Sequence, residues 1–130
     1  MKNTAMLALS LSLATGVLVA QNDPVRSLMS KDLAGAPGKE LSMLSVEYAP
    51  GESTPAHTHH AAQAMVYVLE GSIVMQAKGK APVTLTAGQI WYEGPDDVHV
   101  VSRNASMSVP AKYLVFMVKD RGAPILTPVK

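Results

Sequence analysis

Short apolar runs follow one another along the chain, and each run is closed by Gly, Pro, Asp or Asn. The runs are rich in Val, Leu, Met and Tyr, and no sustained helical periodicity connects them. Regularly spaced strands of this kind are typical of a β-sandwich or a β-barrel. The sequence therefore predicts an all-β domain with eight strands, at 41–48, 54–59, 64–69, 72–77, 83–86, 90–93, 98–103 and 111–119.

Residues 21–40 differ in composition and pattern from the strands that follow. They contain the turn-favouring pair Asp23-Pro24, a segment around 25–33 with helical character, and a Gly-Ala-Pro-Gly turn cluster at 35–38. We expect these residues to form an N-terminal arm that packs on the domain. No repeat, heptad or linker divides the rest of the chain, so residues 41–130 are expected to form a single domain.

The first twenty residues have the composition of a secretory signal peptide. Lys2 supplies a positive start, residues 5–19 are uncharged and mainly apolar, and the small residue Ala20 precedes a polar stretch. A membrane anchor is the alternative, but the run is shorter than a spanning helix and is diluted by Ser, Thr and Gly. We expect cleavage after residue 20, export to the periplasm or the medium, and no membrane association of the mature chain.

Charge and cysteine content exclude several classes of protein. The 130 residues carry 11 basic and 10 acidic side chains, so the strongly basic surface of a nucleic-acid-binding protein is absent. No cysteine is present, which rules out disulfides, thiolate metal sites and cysteine nucleophiles. The four histidines are therefore the first candidates for chemistry.

Three of these histidines stand together in the segment 55–60. On an extended strand His57 and His59 point to the same side with Cα atoms roughly 6.6 Å apart, and two imidazoles at that separation can close around one metal ion. His60 is expected to face elsewhere, in a solvent-exposed turn. An H-x-H pair alone is often an incidental surface pair, but a further histidine, His99, follows a Gly-Pro-Asp-Asp turn in another predicted strand.

One stretch of the chain resembles the first motif of the cupin superfamily. It reads Gly51-x5-His57-x-His59-x3-Gln63-x7-Gly71, with glutamine at the position where that motif usually has glutamate. The segments around it are similar to stretches of small, exported, single-domain bacterial cupins. Cupins host many reactions on one barrel, so the resemblance bears on the fold more than on the reaction.

A second stretch resembles the second cupin motif. It reads Gly88-x5-Gly94-Pro-Asp-Asp-Val-His99-x4-Asn104, with an altered turn and with the asparagine offset by one position. Together the two motifs imply a double-stranded β-helix, a small jelly-roll barrel with a metal ion at one mouth. The resemblance also implies a homodimer.

The resemblance further implies a set of metal ligands, namely His57, His59, Gln63 and His99. Three neutral imidazoles and one amide oxygen suit a divalent cation such as zinc, nickel, cobalt, manganese or ferrous iron. An amide cancels none of the metal charge, so this set favours polarisation of a carbonyl or an enolate over oxygen activation. For Gln63 the alternative is a hydrogen-bonding partner of a ligand or an outward-facing polar residue.

Strand alternation gives expectations about the lining of the barrel. Counting by twos from Gln63 points Met65, Tyr67 and Leu69 inward, and Tyr67 or Tyr92 is then a candidate phenol at the mouth. These residues are chiefly expected to be core.

The same counting from His99 points Arg103 inward, where an ordinary ion pair is favoured. Glu93 is expected to belong to the turn after its strand, which leaves no acid or base predicted beside the ligands. The absence of such a group keeps two functions of different classes open.

The first function is that of a metal-dependent enzyme acting on a small oxygenated substrate, bearing an enol, a carbonyl or a sugar-like group. Isomerase or lyase chemistry is preferred here over that of a quercetinase-like dioxygenase. The second function is that of a non-catalytic exported module that binds a metal ion or a small ligand.

Overall fold

The structure, a computed structural model, describes residues 23–130, so the signal peptide predicted for residues 1–20 lies outside the described residues. Within this range the chain is entirely β and loop, and no helix has the length and apolar character needed to cross a membrane. The predicted all-β class is confirmed. The strands are β1 (Val25–Asp32), β2 (Lys39–Tyr48), β3 (Ser53–Thr54), β4 (His57–Thr58), β5 (Gln63–Glu70), β6 (Ser72–Ala77), β7 (Val83–Thr86), β8 (Ile90–Glu93), β9 (Val98–Asn104), β10 (Ala111–Asp120) and β11 (Thr127–Pro128).

Two antiparallel sheets face each other and form a double-stranded β-helix. The first sheet has the strand order β1-β2-β10-β5-β8, and the second has the order β11-β4-β9-β6-β7, with β3 paired to β9. Apolar side chains from both sheets fill the space between them. Burial of this apolar area, at roughly 25 cal/mol per Å², is the main term that holds the two sheets together.

β5 buries its even-numbered residues, which is the opposite of the expected phase. Ala64, Val66 and Val68 are buried, whereas the odd-numbered side chains at 65, 67 and 69 are exposed on the outer face. The expectation that these three line the barrel was therefore wrong. The strand is apolar on both faces, so its own pattern does not reveal which face is inside.

A β-bulge in β9 changes which side chains face the interior. The pairing between β6 and β9 shifts by one residue between His99 and Val101. Because an extra residue reverses the alternation that follows it, Ser102 and Asn104 are buried while Arg103 is exposed. The inward direction expected for Arg103 was wrong for this reason.

The segment expected to be helical is a strand. β1 pairs antiparallel with β2, with one irregularity between Ser27 and Met29. Backbone hydrogen bonding to an existing sheet edge outweighs the helical spacing of the apolar residues in this segment. The N-terminal arm therefore extends the first sheet by one strand, and Val25 at its start packs against the core.

The buried amide of Asn104 holds two loops together at the end of β9. Its Nδ2 donates hydrogen bonds to the carbonyl oxygens of Ala49 at 3.1 Å and Val109 at 2.8 Å. Its Oδ1 accepts a hydrogen bond from the backbone N–H of Ser106 at 2.8 Å. This well-satisfied amide fixes the strand that carries His99.

Candidate metal centre

Three histidines converge between the two sheets. His57 in β4 pairs directly with His99 in β9, and His59 follows β4 by one residue. One ring nitrogen from each lies within 4.8 Å of the others. His57 and His99 are each only 4% exposed. The structure thus brings together the three histidines that the sequence motifs single out.

Backbone carbonyls fix the orientation of two of these rings. Nδ1 of His57 donates a hydrogen bond to the carbonyl oxygen of Pro55 at 2.7 Å, and Nδ1 of His59 donates to that of Ile125 at 2.5 Å. A carbonyl oxygen only accepts, so in each neutral ring the proton sits on Nδ1 and the lone pair on Nε2. This arrangement is common for histidines that bind metal through Nε2.

His99 is held by packing. Its ring lies against Trp91 with ring centroids 4.8 Å apart, and the His57 ring lies at the same distance. Among residues 23–130, nothing forms a hydrogen bond with the buried Nε2 of His99. A buried nitrogen with a free lone pair or proton is costly unless another group completes it.

Glu93 lies among the histidines, where the sequence pattern did not place it. It ends β8 and lies opposite Ala64 of β5, and its side chain points inward with only 1% of the residue exposed. Its Oε2 is 3.3 Å from Nε2 of His59 and 3.4 Å from Nδ1 of His99. Its Oε1 has no hydrogen-bond partner within the described range.

Gln63 lies away from the three histidines. Its side chain is on the exposed outer face of β5, and its Oε1 accepts a hydrogen bond from the hydroxyl of Tyr92 at 3.3 Å. The buried neighbour Ala64 occupies the inward position instead. His60, as expected, is exposed in a turn, where its φ is 42°.

Burial controls the protonation of the histidines. It lowers the pKa of His99 to about 4, and it lowers the pKa of His57 in spite of the hydrogen bond to Pro55. Burial opposes protonation of His59 as well, but the Glu93 carboxylate and the Ile125 carbonyl outweigh it and raise its pKa. His57 and His99 are therefore neutral near pH 7, which is the form that binds metal ions.

The residues present fit a divalent cation. The histidines and Glu93 line a cavity of about 40 Å³, which is large enough for an ion together with a water molecule. A buried carboxylate costs several kcal/mol unless it is paired, and two polar atoms of the cluster have no protein partner within residues 23–130. A cation beside them would complete both.

Hydroxyl groups of Thr54, Ser102 and Tyr113 also line the cavity. The Tyr113 hydroxyl donates to that of Tyr48 at 3.1 Å, and Tyr48 shares a further hydrogen bond with Ser102 at 2.9 Å. Burial raises the pKa of Tyr113 well above its usual value, so this phenol stays protonated. The phenol that lines the cavity is thus that of Tyr113, which is hydrogen-bonded to Tyr48, whereas Tyr67 and Tyr92 are exposed elsewhere.

Residues from both ends of the domain close the mouth of the barrel. Val25, Ile125 and Leu126 line the cavity beside the histidines, and they also line a wider space of about 400 Å³ on their outer side. β11 is held to β4 by pairs at only two residues. Displacement of this cover would join the inner cavity to the outer space.

Comparison with known proteins gives one family and a set of similar folds. The family model described as a cupin domain matches residues 44–117. No curated protein sequence matches the chain.

Several solved structures share the fold at low identity. The DMSP lyase DddQ from Ruegeria pomeroyi DSS-3 is 21% identical with a TM-score of 0.60, over 68% of this chain and 43% of that one. A conserved double-stranded β-helix protein from Klebsiella pneumoniae is 18% identical with a TM-score of 0.61, over 80% and 81% of the two chains. An oxalate oxidase bound to the substrate analogue glycolate is 20% identical with a TM-score of 0.62, over 93% and 63%. The chain thus spans less than half of the lyase, and these likenesses concern the fold alone.

Proposed function

The chain belongs to the cupin family, and we propose that it is an exported, metal-dependent enzyme that acts on a small oxygenated substrate. The observation that carries this proposal is the buried cluster of His57, His59 and His99, in which backbone carbonyls aim two Nε2 lone pairs at one cavity. Export is proposed from the signal-peptide pattern of residues 1–20.

The three histidines would hold one divalent ion, which is zinc, nickel, manganese, cobalt or ferrous iron. Such an ion, when bound, polarises a carbonyl or a hydroxyl group of the substrate. The apolar walls exclude water and strengthen electrostatic interactions inside the cavity. Ser102 and Tyr113 add hydroxyl groups to the lining of this cavity, and the Tyr113 proton is already donated to Tyr48.

We place isomerase or lyase chemistry first, with a quercetinase-like dioxygenase as the alternative. This order rests on the ion itself, which would be held by neutral imidazoles and would polarise a carbonyl or an enol group. Gln63 lies on the outer face and contributes no amide to the cavity. A non-catalytic module that binds a metal ion or small ligand remains the candidate from a different class. A closed cavity of about 40 Å³, with room for an ion and a water molecule, also suits such a module.

The test uses protein made without an affinity tag. Elemental analysis is expected to find about one divalent ion per chain, and a panel of oxalate, dimethylsulfoniopropionate, a flavonol and a diketone is expected to include one substrate that is turned over without oxygen uptake. His57→Ala should abolish both metal content and turnover, because it removes a ligand. The matched control is His60→Ala, which changes an exposed histidine outside the cluster.

Other results would decide between the alternatives. Oxygen uptake that depends on His57 would favour the dioxygenase. Tight binding of a panel compound with no turnover would favour the binding module. A protein that binds no divalent ion would overturn the proposal.

We also propose that the chain forms a homodimer through the outer face of the first sheet. Seven large apolar side chains are exposed on four strands of this sheet, β1, β5, β8 and β10: Met29, Met65, Tyr67, Leu69, Ile90, Tyr92 and Phe116. Exposed apolar faces of this kind usually mark an interface. Two charged pairs flank this face, Lys112 with Glu47 and Lys39 with Asp120, and each is closed within the chain. A second copy of the chain presents the same apolar face, and a two-fold axis would bring the two faces together.

Light scattering is expected to give twice the chain mass for the wild-type protein. Phe116→Lys should give a monomer, because it puts a charge at the centre of the apolar face. Val83→Lys is the matched control, since Val83 is 42% exposed, close to the 38% of Phe116, but lies on the other sheet. A monomeric wild type, or a Phe116→Lys dimer of unchanged stability, would disprove this interface.

A further inference from the structure

Glu93 reaches the histidine cluster because of how β8 pairs with β5. Glu93 lies opposite Ala64, and Trp91 lies opposite Val66, so the two inward positions of β8 face small or medium side chains. The short side chain of Ala64 leaves room above it for a carboxylate. A larger inward residue at position 64 would occupy the space into which Glu93 points.

The surroundings of Glu93 offer no permanent positive charge. Among the residues of the described chain that line the cavity, none is Lys or Arg, and Glu93 is the single acidic residue. A buried carboxylate without a counter-charge is strongly disfavoured. Protonation of His59 would give Oε2 a partner, but it would leave Oε1 of Glu93 and Nε2 of His99 without one.

The spacing between Glu93 and His59 matches that of two ligands on one ion. Two atoms bonded to the same cation at about 2.0–2.2 Å lie roughly 3.0–3.5 Å from each other in octahedral or tetrahedral arrangements. Oε2 of Glu93 is 3.3 Å from Nε2 of His59, which falls within that range. The carbonyl of Ile125 keeps the proton of His59 on Nδ1, so this Nε2 presents a lone pair toward the same region as the carboxylate.

We infer that Glu93 is the fourth and anionic ligand of the metal ion, in the role that the sequence pattern gives to Gln63. This inference rests on the proposed function, since it presupposes an ion at the three histidines. A carboxylate reduces the net charge of a divalent centre by one unit, which strengthens binding of the ion and widens the range of metals to those that prefer oxygen ligands. Gln63 cannot take this role from the outer face, where its amide contacts Tyr92.

The test compares Glu93→Gln with Gln63→Ala by competition against a chelator for zinc and for manganese. Glu93→Gln keeps the shape of the side chain and removes its charge, and we expect it to weaken metal binding by more than about 100-fold, beyond the loss typical of residues that only orient a ligand. Gln63→Ala should bind as tightly as the wild type. The electron paramagnetic resonance spectrum of bound Mn²⁺ should change in Glu93→Gln alone.

A second measurement separates loss of a ligand from loss of the fold. Without metal, Glu93→Gln is expected to melt at or above the temperature of the metal-free wild type, because a buried unpaired charge has been removed. Unchanged metal affinity in Glu93→Gln, or weakened affinity in Gln63→Ala, would overturn the inference. If His57→Ala loses the metal while Glu93→Gln retains it, the proposed function stands and only the role of Glu93 fails. If His57→Ala also retains the metal, the proposed function fails with it.

Discussion

Removal of the metal ion is expected to lower the free energy of unfolding of the wild-type protein by about 4 kcal/mol. The reference is the same protein at a free metal concentration roughly 1,000 times the Kd. For a domain of this size the thermal midpoint should fall by about 15–30 °C. An ion that binds the folded chain alone contributes its binding free energy to folding. Here it would also link β4 to β9 through His57 and His99 and relieve the unpaired atoms between the sheets.

Calorimetric scans in excess zinc and in excess EDTA measure this difference. The control is the His57→Ala, His99→Ala double variant, whose midpoint should be the same in both buffers because two ligands are gone. If the wild type has the same melting temperature in zinc and in EDTA, the histidine cluster is part of the core and binds no metal ion. A metal-dependent shift that persists in the double variant would indicate that the ion binds elsewhere.

The strand positions were largely predictable because their signals are local. Gly, Pro and Asp close each strand through the turn conformations they favour, and the runs at 72–77, 83–86 and 90–93 coincide with β6, β7 and β8. The predicted strand at 54–59 proved to be two short strands, β3 and β4, separated by Pro55 and Ala56. Proline donates no backbone hydrogen bond, which interrupts the ladder there.

The side of the sheet to which each side chain points was harder to predict, because it depends on strand partners that are distant in sequence. In β5 the inward position is Ala64, which pairs with Glu93, 29 residues away along the chain. The bulge in β9 is likewise visible only in its pairing with β6. The phase of β5 puts Gln63 on the outer face, and the bulge in β9 turns Arg103 outward.

The convergence of His57, His59 and His99 could be predicted because the spacing of a motif survives such shifts. His57 and His99 lie opposite each other across one β-ladder, while the carbonyls that orient His57 and His59 come from Pro55 and Ile125. A backbone carbonyl is present at every residue, so the sequence does not indicate which carbonyls accept hydrogen bonds from the histidine rings. Glu93 follows three apolar or aromatic residues, and its strand therefore shows no alternation that would have revealed an inward carboxylate.

Gly71→Ala is expected to lower the free energy of unfolding by roughly 2–5 kcal/mol, from the cost of a left-handed residue together with that of overpacking. Gly71 joins β5 to β6 with a φ of 70°, a conformation that a side chain disfavours. A Cβ there would lie 2.5 Å from the carbonyl oxygen of Pro110 and 3.0 Å from Cα of Ala111. These neighbours are backbone atoms at the start of β10, so they cannot move aside without disturbing the strand that pairs with both β2 and β5.

Gly79→Ala separates the two contributions. Gly79 has a φ of 79°, but a Cβ there would meet nothing within 4 Å, so this variant carries only the conformational cost of about 1–2 kcal/mol. Urea titrations of both variants, followed by far-ultraviolet circular dichroism, give the difference directly. That difference, roughly 1–3 kcal/mol, measures how closely the β5–β6 turn approaches β10. Equal destabilisation of the two variants would contradict this close approach, and with it the packing that joins the last residue of the first cupin motif to the central strand of the sheet.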